Sequence, residues 1–192
     1  LLMRLGWLVL LGFCALTAAP FVPYDDGEPD IKPSTEDVIA ANVTAEVNAE
    51  RRNRSLSQLE RSDRLDALAQ AQAEDMADLD YVGHINSDEE GIRDRYADAG
   101  LLPECRLPTG DGQHYAGAEV TNQVVVGSEV VPYGIGGGPV EVTTPAEAAS
   151  VTVDEFLASP GHRRILVLAS ADEIGVGVAV EGDDVYVAIE LC

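Results

Sequence analysis

The end of the chain constrains the fold more than any other stretch. Ile174, Val176, Val178 and Val180 recur every second residue; after Glu181-Gly182-Asp183-Asp184, Val185, Val187, Ile189 and Leu191 do the same. A period of two places each set on one side of a β-strand. The spacing therefore predicts a terminal antiparallel hairpin, Glu173–Val180 and Val185–Leu191, with one face buried. The strength of the pattern predicts that both strands are central in their sheet.

Upstream, the period changes to that of helices. Ser34 opens a Ser-x-x-Asp37 start signal, and Ile39, Val43 and Val47 follow four apart, so a first helix should end near Asn53. A second should run from about Ser62 to Leu79, with Leu65, Leu68, Gln72, Met76 and Leu79 on one side. A short third covers Gly91 to Ala99, with Gly100 just past its end. A fourth covers Thr144 to Leu157. Between the last two, valine runs at 124–126, 130–131 and 140–142 flank Gly134-Ile135-Gly136-Gly137-Gly138, which predicts strands around a glycine turn. These glycines lack the strand and helix that a phosphate-binding loop needs. Helices first and strands later indicate an α+β fold, not a βαβ sheet.

The charge is lopsided: 34 Asp and Glu against 12 Lys and Arg, net −22, with Lys32 the only lysine. Such a field repels phosphate backbones and argues against nucleic acid as a partner. It suits a halophilic type of surface, where salt screens self-repulsion, or a cation-binding protein, although no EF-hand loop is present. At the start, Arg4 precedes an apolar run from Leu5 to Ala19. At 1.5 Å per residue the run covers roughly 22 Å, short of a bilayer core. Residues 1–22 therefore read as a signal peptide or an N-terminal membrane anchor. Residues 23–36 read as an acidic, proline-bearing linker, and 37–192 as one domain. An exported chain meets an oxidising medium; with Cys14 in the leader, Cys105 and Cys192 remain to pair as a disulfide, or to stay as two unrelated thiols. Two glycosylation sequons, at Asn42 and Asn53, complete this picture, the second better placed at a helix end.

The order of motifs resembles one family. Val47-Asn48-Ala49-Glu50-Arg51 is similar to its opening helix motif. Leu65, Leu68, Ala69 and Asp75-Met76 lead to its histidine segment at Gly83-His84, and Arg95 with Gly100 follows as expected. Ala116-Gly117-Ala118-Glu119-Val120 resembles its "GEN" element, Phe156 to Arg163 its "W-x-x-SPGHR" element, and Ile174-Gly175-Val176-Gly177 its "IGVG" strand. These point to the CAP superfamily, also called SCP-like (cysteine-rich secretory proteins, antigen 5, pathogenesis-related proteins), in its prokaryotic branch. Val120 stands where the motif has Asn, and Phe156 where it has Trp. The resemblance implies a three-layer α-β-α sandwich with a cleft lined by two histidines and one or two acids. Those positions are His84, His162 and Glu119; no residue matches the second acid, and Glu155 is close in sequence.

Two neutral imidazoles and a carboxylate can hold zinc or a similar divalent metal with a site left for water, or can simply form a polar cleft. The resemblance thus implies an exported protein that binds a ligand or cell-surface component at this cleft. A metal-dependent hydrolase using the same residues, or a structural cell-surface module, are the alternatives. His114 has no counterpart in the family and reads as a loop residue or the rim of the cleft. Ser159 reads as the cap of a turn through Pro160-Gly161 that presents His162, rather than as a nucleophile.

Overall fold

The computed structural model describes residues 34–102, 104–130 and 140–192. The leader 1–22, the linker up to residue 33 and the glycine turn at 134–138 lie outside the described residues. Among the described residues five helices are seen: α1 (Thr35–Asn53), α2 (Asp63–Leu79), α3 (Ile92–Asp98), α4 (Pro145–Ala158) and α5 (Pro160–Leu166). The strands are β1 (Glu60–Arg61), β2 (Arg106–Pro108), β3 (His114–Ala116), β4 (Ala118–Val125), β5 (Glu129–Val130), β6 (Val140–Glu141), β7 (Glu173–Glu181) and β8 (Asp184–Leu191). The four expected helices fall within a residue or two of their sequence boundaries.

Strands β1, β7, β8 and β4 form one sheet in that order, antiparallel except for the short β1–β7 pair. The terminal hairpin is therefore central, as its pattern requires. Helices α1 and α4 cover one face: Ile39, Val43 and Val47 meet Val176, Val178, Val187, Ile189, Val153 and Phe156 in one buried cluster. Helix α2 covers the other, through Ala69, Ala73 and Met76 against Ala179, Tyr186 and Ala188. The result is an α-β-α sandwich of the α+β class.

The second face corrects two expectations. The hairpin buries both faces, not one; of the stripe expected on α2, Leu65, Gln72 and Met76 are buried, but Leu79 is 57% exposed and Leu68 half-buried, and Ala69 and Ala73 complete the contact. Gly175 and Gly177 explain this. A Cβ at Gly177 would lie 2.1 Å from the Ala69 carbonyl carbon, and one at Gly175 equally close to that of Leu65. The helix backbone rests directly on the strand, leaving room only for small side chains. Side chains of α2 also serve the edge of β7 beyond β1. Val176 N–H donates to Asp66 (2.9 Å), and Gln70 bonds both the N–H and the carbonyl of Val178 (3.0 Å each).

The opening helix motif is a structural clamp. Asn48 bonds both backbone groups of Leu59, and the fully buried Arg51 donates to the carbonyls of Ser57, Leu166, Leu168 and Ala171 at 2.9–3.0 Å. One guanidinium thus closes the loops that follow α1 and α5. Cys105 and Cys192 are joined, with Cα atoms 4.7 Å apart at a sequence separation of 87. The bridge ties the strand end of β8 to the start of β2. Asn53, the better-placed sequon, is exposed at the end of α1. Among the described residues no helix is long and apolar enough to cross a membrane.

Candidate functional site

His84 sits in the loop between α2 and α3, and α2 itself pins that loop. The helix ends at Asp80 in the left-handed conformation (φ 52°), which turns the chain back. Gln72 donates to the Gly83 carbonyl (2.9 Å). Asp75 accepts from Tyr81 Oη (2.5 Å), the Ser87 N–H (3.0 Å) and the Ser87 hydroxyl. Burial, then the bond to Asp75, pushes the Tyr81 phenol up to about 12, so it remains a donor at neutral pH. Asn86 and Glu90 share three hydrogen bonds across the loop. The bonds of Gln72 and Asp75 tie the loop that carries His84 to the body of α2.

Glu119 comes from β4, the edge strand of the sheet, and points to the face that α2 and α3 cover. Its Oε1 lies 2.7 Å from His84 Nδ1, and its Oε2 accepts from Arg95 Nη2. Arg95, on α3, is 5% exposed and Glu119 is 1%. The other Arg95 amine donates to the carbonyls of His84 (2.9 Å) and Glu90 (3.1 Å). Burial works to raise the Glu119 carboxyl, but the hydrogen bond from His84, the neighbouring Glu190 carboxyl and the charge of Arg95 together hold it below the ordinary range. Glu119 is thus an acceptor only. The Nδ1 of His84 must then carry the proton, and Nε2 is left for whatever approaches. The His84 side chain is 44% exposed, while that of Glu119 is fully covered.

His162 lies on α5, which packs on the same edge strand. Its ring meets Phe156 edge-on at 5.3 Å between centroids. Burial, then repulsion from His84, lowers its affinity for a proton, which keeps it neutral at pH 7. The turn expected at Ser159 is instead the junction of two helices. Ser159 makes no side-chain cap bond, and α5 begins with Pro160 in its first turn, where a missing N–H costs nothing.

Glu155 does not join Glu119 and His84. It belongs to α4 and accepts from Asn122 Nδ2 at 2.6 Å; Asn122 follows Glu119 by three on β4 and so faces the opposite side of the sheet. The acid that accompanies Glu119 is Glu190. The two are direct cross-strand partners in the β4–β8 ladder. Glu190 is fully buried, both its oxygens lack a hydrogen-bond partner among the described residues, and Arg95 Nη2 is 3.8 Å away. Burial, then the negative charge of Glu119, drives its carboxyl well above the usual range, so it is neutral. The pattern did hold a clue: Glu190 is the one acid inside the apolar run Val185–Leu191.

The bonds at Glu119 bear on metal binding. Each of its oxygens already accepts one hydrogen bond, one from an imidazole N–H and one from a guanidinium, and the guanidinium charge beside it disfavours a second cation. Among the described residues no group of three or more His, Cys, Asp or Glu is placed to hold a metal ion. A His84–His162–Glu119 donor set does not fit this arrangement. His114 begins β3, is exposed, and does not enter the cleft; Arg106 Nη2 donates to its Nε2 at 3.0 Å.

Known proteins share this architecture. The fold is similar to that of an outer surface protein from Borrelia burgdorferi, with a TM-score of 0.56 and 17% identity, over 83% of this chain and 96% of that one. It is also similar to an extracellular protein containing an SCP domain from Bacillus anthracis, with a TM-score of 0.52 and 17% identity, over 81% of this chain but only 41% of that one. No curated protein sequence matches this chain. The sequence model of the cysteine-rich secretory protein family, CAP, matches residues 44–191. This span holds the Arg51 clamp, the His84 loop, Glu119 and α5, and the chain belongs to the CAP family.

Proposed function

We propose that the chain is an exported CAP-domain protein that holds a ligand or cell-surface component at the cleft of His84, His162 and Glu119. The observation that carries this is the buried Arg95–Glu119 pair. Burying a charged pair seldom adds to stability relative to apolar packing. Here the pair fixes one half-exposed imidazole, His84, in a single tautomer and orientation. That is the arrangement of a binding site, where preorganisation lowers the cost of association. Val82 and Ile85, 45% and 63% exposed, flank His84 in the same loop and offer apolar contact beside the imidazole.

Export is supported by the apolar run from Leu5 to Ala19 after Arg4, which acts as a cleaved leader or as an anchor. The printed descriptions of the similar Borrelia and Bacillus proteins, outer surface and extracellular, agree with it. The net charge of −22 suits a high-salt medium. The test is native mass spectrometry of the full chain after exposure to a cell-envelope extract. A stoichiometric adduct that is lost in the His84→Ala/His162→Ala variant supports the reading. No adduct, or one that the double substitution leaves intact, refutes it.

A further inference from the structure

We propose a second binding site, on the opposite side of α3 from Arg95, that takes a small organic phosphate or sulfate monoester. The hairpin β2–β3 has two faces. Leu107 and Tyr115 turn inward to the main core. Arg106 and Ala116 are cross-strand partners, as are Pro108 and His114, and all four lie on the outer face. Arg93 from α3 and Leu102 from the loop after it close a cavity of about 500 Å³ over Arg106, His114 and Ala116. None of the three cleft residues lines it.

The charge of this cavity is what singles it out. In a chain with 34 acids and 12 basic residues, its lining holds two arginines and a histidine and, among the described residues, no acid. Arg61 and Arg64 pair with Asp66 and Glu104, whereas neither Arg93 nor Arg106 makes an ion pair with a described acid. The acid at the hairpin tip, Asp111, is already engaged by Thr109 and the Gln113 N–H. A second hollow continues the first along Arg106, Pro108, Gly110, Gly112, Gln113 and His114, again without a described acid. Arg93 and Arg106 border the same hollow with no described acid in its lining, although Arg106 also borders a neighbouring hollow that holds Glu104, Asp172 and Glu173; an oxyanion that reaches both guanidinium groups gains charge-assisted, bidentate bonds. Arg106 Nη2 and the His114 imidazole are already hydrogen-bonded, so both are oriented before anything binds. The half-buried Leu102 and Ala116 supply an apolar wall for the group that carries the anion.

The scaffold beneath is rigid. The Cys105–Cys192 bridge fixes the start of β2, Gly117 N–H donates to the Cys105 carbonyl (2.9 Å), and Ser170 Oγ donates to that of Pro108 (3.0 Å). A site on tied strands holds its geometry better than one on a free loop.

Calorimetric titration of the full chain with phenyl phosphate tests the site, in salt at which circular dichroism shows the fold. Saturable 1:1 binding is expected, weaker for inorganic phosphate and undetectable for phenol. Arg106→Gln should weaken phenyl phosphate by roughly tenfold or more, and Arg93→Gln/Arg106→Gln should abolish binding. Arg52→Gln, on α1, should change nothing. These arginines are exposed, so the variants keep the fold. Equal binding by the double variant, or no saturable binding by the wild type, overturns the site. Equal affinity for inorganic phosphate overturns the apolar wall.

Discussion

Replacing Arg95 by Met removes the one cation from a buried carboxyl pair. In the native chain Arg95 is 5% exposed, Glu119 1% and Glu190 fully buried. Taking away one partner of such a pair leaves an uncompensated buried charge and costs about 3–5 kcal/mol. The carbonyls of His84 and Glu90 also lose their donor; water can reach this half-buried loop and offset most of that loss. Against a typical total of about 5–15 kcal/mol, Arg95→Met should bring the domain close to its stability limit. Glu119→Gln should cost less, because Glu190, 3.8 Å from Arg95, can ionise and replace the lost charge. Adding Glu119→Leu to Arg95→Met removes the stranded charge and should recover part of the loss. Urea unfolding with a constant slope gives these differences directly. The acid limb gives an independent reading. The folded-state carboxyl of Glu119 is held below its ordinary 4.5, so its contribution is present above that pH and is lost as pH falls through the folded value. In Arg95→Met that acid-side loss should shrink. An Arg95→Met variant within about 1 kcal/mol of wild type, with an unchanged acid limb, would show that the pair is not the keystone described.

Other outcomes follow from the packing. Gly177→Ala, whose Cβ would lie 2.1 Å from the backbone of α2, should force helix and sheet apart and cost about 3 kcal/mol; a melting temperature equal to wild type would refute the direct contact of α2 with β7. Reducing the Cys105–Cys192 bridge, which spans 87 positions, should lower stability by about 4.6 kcal/mol in the chain-entropy model; an unchanged urea midpoint after reduction would contradict a bridge. For His162, the folded value lies below 6.5, so its contribution is present above that pH and disappears as pH falls through the folded value. His162→Gln should flatten the stability profile on the acid side of 6.5, and a profile identical to wild type would place His162 outside the buried cleft.

The elements that carry a long period were legible in the sequence. The alternation from Ile174 to Leu191 gives the two central strands, and the four-residue spacing of Ile39, Val43 and Val47 gives the buried stripe of α1. What failed were the elements too short to have a period. β1, β2 and β3 are two or three residues long, and α5 is seven, opening on Ser-Pro-Gly. The second buried face of the hairpin was disguised because glycines and alanines mark a close approach as readily as a solvated side. At the site, His84, Glu119 and His162 came from motif resemblance, while the residues that organise them did not. Arg95 stood in a motif without a role, and Glu190 reads as the outward side of a strand. Only the β4–β8 register, which sets Glu119 opposite Glu190, reveals the pair of carboxyls over Arg95.

If the buried Arg95–Glu119 pair presents His84 in one fixed state to a ligand, that state exists before anything binds. Long-range proton–nitrogen NMR of the imidazoles reads that state without any ligand. At neutral pH, His84 should show a protonated Nδ1 bonded to Glu119 at 2.7 Å, and Glu119→Gln should shift that resonance. A His84 ring with the proton on Nε2 and a bare Nδ1, or one averaging freely between tautomers, would contradict the account.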